Sequence, residues 1–257
     1  MVHSTTLQIS RAANRIRVSG PLSHSDFYAL LAVIYDASTR LGYKDLILDF
    51  AGCVAAFAGP MLALCAQVML LRAKGVEIEL VLPQKEELAK LFRNTNWARF
   101  LDPTRHAESR FKGYTHVPAI QYTTTAEQSR AVNVMVNAVL GSMTDFARTD
   151  FAAIEWSLNE ITDNVLVHAR SALGGLVQVS TFHRQRRRVE FVVCDAGVGI
   201  PTSLRETHLE IRSDAEALEK AIREGVTRDK SVGQGNGLFG SYEICRLSGG
   251  YFFEPVS

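Results

Sequence analysis

The spacing of apolar residues changes along the chain, and each change marks an element. Residues 7–10 and 15–18 carry the short alternation of strands, and residues 26–41 follow with the spacing of an amphipathic helix. An apolar run of strand length covers 46–50, a helical pattern covers about 60–74, and a second strand pattern covers 77–82. Pro83 stops that strand, and a helical pattern restarts over 86–92. A hairpin followed by helix, strand, helix and strand begins an α/β layer.

The period is then lost. Residues 102–118 are polar, rich in Arg, His and Gly, and bracketed by prolines, which places a domain seam there. Two long helical patterns follow, over 126–143 and 151–169. Residues 176–183 and 189–194 alternate like a hairpin around the turn 185–188. The last helical patterns, 214–224 and about 238–247, are separated by a glycine-rich stretch. Helices interleaved with antiparallel strands, without a regular βαβ rhythm, predict an α+β sandwich. The expected organisation is an α/β domain over residues 1–101, a linker over 102–120 and a second domain over 121–257.

Composition narrows the function classes. At 257 residues the chain can bury two modest cores, and a formal net charge of +1 names no partner, so any nucleic-acid reading must rest on a local patch. His183-Arg184-Gln185-Arg186-Arg187-Arg188 is such a patch, although a charged hairpin tip is the commoner explanation. Cys53, Cys65, Cys194 and Cys245 form no C-x-x-C pair and read as reduced thiols of a cytoplasmic protein. The first residues lack the basic start and apolar run of a signal peptide, and the longest apolar stretch, 61–71, is broken by Gln67, so neither secretion nor a membrane span is expected.

Chemistry concentrates in the second half. Glu160, Asn164 and His168 recur every fourth residue of one helical pattern, a step that turns each side chain only about 40° from the last. Ile154, Leu158, Ile161 and Val165 make the core face of the same helix, and the polar stripe runs along its edge, where a pocket wall or an ordinary wet flank would lie. Next, an apolar strand runs into Asp195, Gly197 and Gly199. A carboxylate at a strand end can accept a ligand amine, and glycines let backbone approach a flat ring, although a plain tight turn uses the same residues. Last, Gly233, Gly235 and Gly237 precede Leu238 and a helical pattern. Such a loop presents backbone N–H groups to phosphate, or serves as a flexible connector.

The ordered set Glu160-x-x-x-Asn164-x-x-x-His168, Asp195-x-Gly197-x-Gly199 and Gly233-x-Gly235-x-Gly237-Leu238 resembles the N, G1 and G2 boxes of the GHKL ATPases, the superfamily of gyrase, heat-shock chaperones, histidine kinases and MutL. The resemblance implies a Bergerat-type ATP-binding fold. It implies that Asn164 holds magnesium against the triphosphate, that Asp195 receives the adenine amine, and that Gly197 and Gly199 shape the adenine floor. Gly233, Gly235 and Gly237 would close around the phosphates, and Glu160 would orient or deprotonate the attacking water. Residues 202–232 would be a lid over ATP, with Arg228 or Lys230 able to meet phosphate or to stand in solvent. The family sheet continues past a Gly-Gly strand, whereas this sequence ends at Ser257 soon after Gly249-Gly250, so a trimmed C-terminus or a missing final strand is expected.

The order of elements over about 5–101 is similar to the STAS fold of anti-sigma factor antagonists. That family carries a phosphorylatable hydroxyl just after the central strand. Here the stretch reads Ala55-Ala56-Phe57-Ala58-Gly59-Pro60, so a phospho-switch is not expected and a docking or regulatory role is. The leading expectation is a slow ATPase whose nucleotide state changes its contacts with a protein partner, as a homodimer or otherwise. A serine/threonine kinase resembling anti-sigma factors and a nucleotide-sensing module that never turns over are the two alternatives.

Overall fold

The computed structural model describes residues 6–23, 26–110, 116–143, 147–182, 188–223, 225–226, 236–250 and 252. The chain divides into two compact units. One comprises Met1–Ile120 with Leu176–Cys194, and the other comprises Gln121–Gly175 with Asp195–Ser257.

The first unit is built on a mixed sheet in the order β1 (Gln8–Ala12), β2 (Arg15–Leu22), β3 (Asp45–Ala56), β4 (Glu77–Val81). β1 and β2 form an antiparallel hairpin, with Gln8 opposite Ser19, whereas β3 lies parallel to both β2 and β4. The parallel pairs require helical crossovers. α1 (Phe27–Tyr35) makes the first, continues as a π-type turn over Asp36–Arg40, and buries Phe27, Leu30 and Ile34. α2 (Ala58–Ala73) makes the second and ends in a Schellman cap, in which Gly75 takes φ +82°, its N–H meets Arg72 O at 2.9 Å and Val76 N–H meets Leu71 O at 3.0 Å. α3 (Glu86–Asn94) packs on β3, and α4 (Trp97–Leu101) packs on α2 and β4.

Aromatic rings knit this core. Phe92 meets Phe50 at 5.4 Å and Trp97 at 5.5 Å, both edge to face, and all three are buried. The buried Trp97 indole donates from Nε1 to Gln178 Oε1 at 2.8 Å. Asp102, just past α4 and only 1% exposed, accepts from Leu80 N, Arg105 N and Thr104 Oγ1.

A three-stranded antiparallel sheet takes the order β5 (Ile120–Tyr122), β6 (Gly175–Phe182), β7 (Arg188–Asp195). The alternation expected for β6 is absent, because every residue from Gly175 to Thr181 is buried. As the middle strand it is covered on both faces; Gln178 Oε1 accepts from Trp97 and Ser180 meets His116 at 2.9 Å, whereas Gln178 Nε2 is buried without a hydrogen bond among the described residues. The basic turn at 183–187 lies outside the described residues. Arg188, at its edge, rests its guanidinium 4.7 Å from the Phe182 ring centroid.

The second unit is mostly helical: α5 (Thr125–Ser142), α6 (Arg148–Asn164), α7 (Ile200–Arg205), α8 (Asp214–Ala221) and α9 (Gly237–Leu247). α5 opens with a capping box between Thr124 and Glu127. Gly249-Gly250, expected in a strand, instead close α9 as a Schellman cap: Gly249 at φ +66° donates to Arg246 O, and Gly250 donates to Cys245 O at 2.8 Å. Cys53, Cys65 and Cys245 are free thiols. No helix among the described residues is long and apolar enough to cross a membrane.

Candidate functional site

α6 is anchored from the side opposite its polar stripe. Its buried line is Ser157, Leu158 and Thr162, continued by Val165 and Ala169, whereas Ile154 and Ile161 are only half-buried. Thr162 takes the place expected for isoleucine because its hydroxyl is matched twice, donating to Leu158 O at 2.6 Å and accepting from Gln128 Nε2 of α5 at 2.8 Å. Glu160, Asn164 and His168 are all half-buried.

The helix ends in a π-type turn over Val165–Ala169, immediately after Asn164. Such a turn closes on the fifth residue and holds more residues than an α turn. The step from Asn164 to His168 is therefore wound back relative to the step from Glu160 to Asn164, and the stripe bends at Asn164.

Asp195 ends β7 and starts the glycine turn. Its Oδ1 accepts from Gly197 N at 2.7 Å, and its other oxygen has no hydrogen bond among the described residues. Burial pushes its carboxyl above the ordinary aspartate value, against the pull of the Gly197 amide. Gly197 has no room for a side chain, since a Cβ there would lie 1.9 Å from Ala169 O. Val198 N then donates to that same carbonyl at 2.9 Å. The glycine turn is thus docked on the π turn that carries His168. Gly199, at φ +76°, leads into α7.

The third motif arrives through α9. A Cβ on Gly237 would sit 2.6 Å from Glu160 Oε2, and one on Gly240 would sit 2.3 Å from Trp156 Cη2, so the two glycines set the start of α9 directly on α6. Glu160 therefore stands beside the positive end of an 11-residue helix. Burial first, and the neighbouring Asp163 second, push its carboxyl upward. Leu238 packs on a small core of Leu204, Ile211, Ala217 and Ala221 drawn from α7, α8 and the turn between them. Asn236 Oδ1 accepts from Gly225 N at 3.2 Å. Gly233, Gly235, Arg228 and Lys230 lie outside the described residues.

The structure therefore brings together Glu160, Gly237 and Leu238 on one side, and Asp195, Gly197 and the turn bearing His168 on the other, all attached to one helix. Sequence reasoning missed Trp156 and the ion pair between Arg170 and Glu206, and it gave Asn236 and Gly240, both within the third motif, no role of their own. Gly237, Gly240 and Ser241 share one face of α9, and that run of small residues was the signal available for Trp156 and Gly240. No family model, curated protein or solved structure matches this chain.

Proposed function

We propose that the chain binds ATP with magnesium at this site and hydrolyses it slowly, the nucleotide state altering its contacts with a protein partner. The observation that carries the reading is the docking of the Asp195 turn onto Ala169, at the end of the helix whose Glu160 meets Gly237. Two segments far apart in sequence, the Asp195 turn and the start of α9, meet the helix that carries Glu160 and Asn164, and the three have chemistry suited to different parts of one nucleotide.

Asp195 suits an amine-bearing ring: it has an acceptor oxygen to spare, and the bare, uncrowded backbone at Gly199 leaves a flat approach beside it. Magnesium would supply neutralisation of the triphosphate charge. Asn164 would give magnesium one protein oxygen, with phosphate and water completing the shell. Glu160 lies where it can orient a water, and its raised pKa improves it as a base near neutrality.

Calorimetry with ATP and GTP tests the binding claim. GTP, with a carbonyl where ATP has its amine, is expected to bind weakly, and equal affinities would remove the role given to Asp195. Single-turnover measurement tests the chemistry. Glu160→Gln is expected to keep ATP affinity and to slow turnover by roughly two to four decades. Wild-type turnover no faster than this variant, with or without partners, would leave a nucleotide-sensing module as the better reading.

A further inference from the structure

Arg170 holds an unusual backbone for its residue type. It follows the π turn at φ +53° and ψ +32°, the left-handed region that long side chains rarely enter, and it is one of three non-glycine residues with positive φ among those described. Its guanidinium makes two hydrogen bonds to Glu206, Nη1 to Oε1 and Nη2 to Oε2, each 2.6 Å. This is the planar, two-point pairing in which Arg meets a carboxylate best.

The two partners sit at informative places. Arg170 directly follows Ala169, whose carbonyl takes the Val198 amide and crowds Gly197. Glu206 is the residue at the C-terminal end of α7. The segment from Gly197 to Glu206 is therefore tied at both ends to two adjacent residues, 169 and 170. Beyond it, Arg205 pairs with Asp214, Lys220 pairs with Glu210, and Leu204, Ile211, Ala217 and Ala221 share one core. α7 and α8 thus form one small body, and the bond to Glu206 fastens that body to the helix end bearing Asn164 and His168.

We propose that Arg170 is a positioning residue: its clasp on Glu206 holds α7 down and keeps the Asp195 to Gly199 turn in its nucleotide-ready shape. The clasp is half-exposed, so it loosens with salt. Its position makes it the point where the α7 and α8 body lets go of the site. This inference rests on the ATP-binding reading for its functional half, while the fastening itself can be measured without nucleotide.

The test compares wild type, Arg170→Gln and the charge-exchanged double variant Arg170→Glu with Glu206→Arg. Two readouts are taken: hydrogen exchange of the amides from 198 to 206 in nucleotide-free protein, and stopped-flow binding of magnesium ATP. Arg170→Gln is expected to speed exchange in that segment and to weaken ATP by about three- to tenfold, chiefly through faster dissociation. The double variant is expected to recover much of both losses. Unchanged exchange in Arg170→Gln overturns the clasp whatever ATP does. Faster exchange with unchanged ATP kinetics overturns the positioning role. A double variant as weak as the single one means that Arg170 acts without Glu206, which also overturns it. Failure of wild type to bind ATP at all would instead defeat the functional reading, leaving exchange to decide the clasp.

Discussion

Asp102 and Asp195 stand at the ends of elements in different units, and their surroundings treat them oppositely. Asp102 is almost wholly buried, which by itself would raise its pKa, yet the Thr104 hydroxyl, the Leu80 and Arg105 amides and the Arg105 charge together hold it below the ordinary aspartate value. Asp195 has, among the described residues, only the Gly197 amide to offset burial, so burial prevails and its pKa rises. One carboxylate is saturated by its own fold, and the other keeps acceptor capacity in hand. Saturation marks a structural acid, and spare capacity marks one that a ligand can complete.

The largest effect that would break this contrast is on stability. Asp102→Ala strands the buried Leu80 amide and the Thr104 hydroxyl, and is expected to cost about 3 kcal/mol, read as a clear fall in melting temperature. A variant as stable as wild type would mean that Asp102 is not the fastening that its bonds suggest. Asp195→Asn should behave in the opposite way, leaving stability unchanged or slightly raised. It should weaken ATP by about one to two decades through the lost charged hydrogen bond, roughly 1.5 to 3 kcal/mol. Equal ATP affinity in calorimetry would cancel the distinction.

Acid should separate the two groups in one sample. The stabilisation from Asp102, whose folded pKa is depressed, is present above its unfolded value and disappears only as pH falls through the lowered folded value. Asp195, with a raised folded pKa, takes up its proton earlier in the descent. That protonation favours the folded state, while removing the charged acceptor for adenine. Just above the ordinary aspartate value of 3.8, ATP affinity is expected to fall while the thermal transition holds. Simultaneous loss of both in a pH titration would refute the assignment.

The smallest effect is at Gly237. Its added Cβ would meet only the end of the flexible Glu160 side chain, whereas at Gly197 it would meet backbone. Gly237→Ala should therefore change stability by about 1 kcal/mol or less, with a gain in helix propensity offsetting the displacement of Glu160. A collapse comparable to Asp102→Ala would show that Gly237 is as tightly enclosed as Gly197.

The sequence made the order of elements legible, because strands and helices differ in apolar period over windows longer than their boundaries. It also located the groups that converge on α6, from Glu160 to Leu238. What it hid is tertiary. β6 looked like a half-exposed strand, but its polar residues are buried against Trp97 and His116, partners that no local window contains. Gly249-Gly250 looked like a strand, but a glycine pair serves a helix cap equally well. The clasp between Arg170 and Glu206 joins two ordinary surface charges 36 residues apart, so no pattern announces it.

The hairpin that groups with the first unit has a consequence for synthesis. Trp97 leaves the ribosome long before Gln178, the residue that satisfies its indole, which follows 81 residues later. At ordinary elongation rates that interval is roughly 4 to 16 seconds, during which an aromatic destined for the core has no partner for its N–H. The first unit therefore cannot be finished in the order in which it is made. It must wait, incomplete, while α5 and α6 of the other unit emerge ahead of the strand it needs.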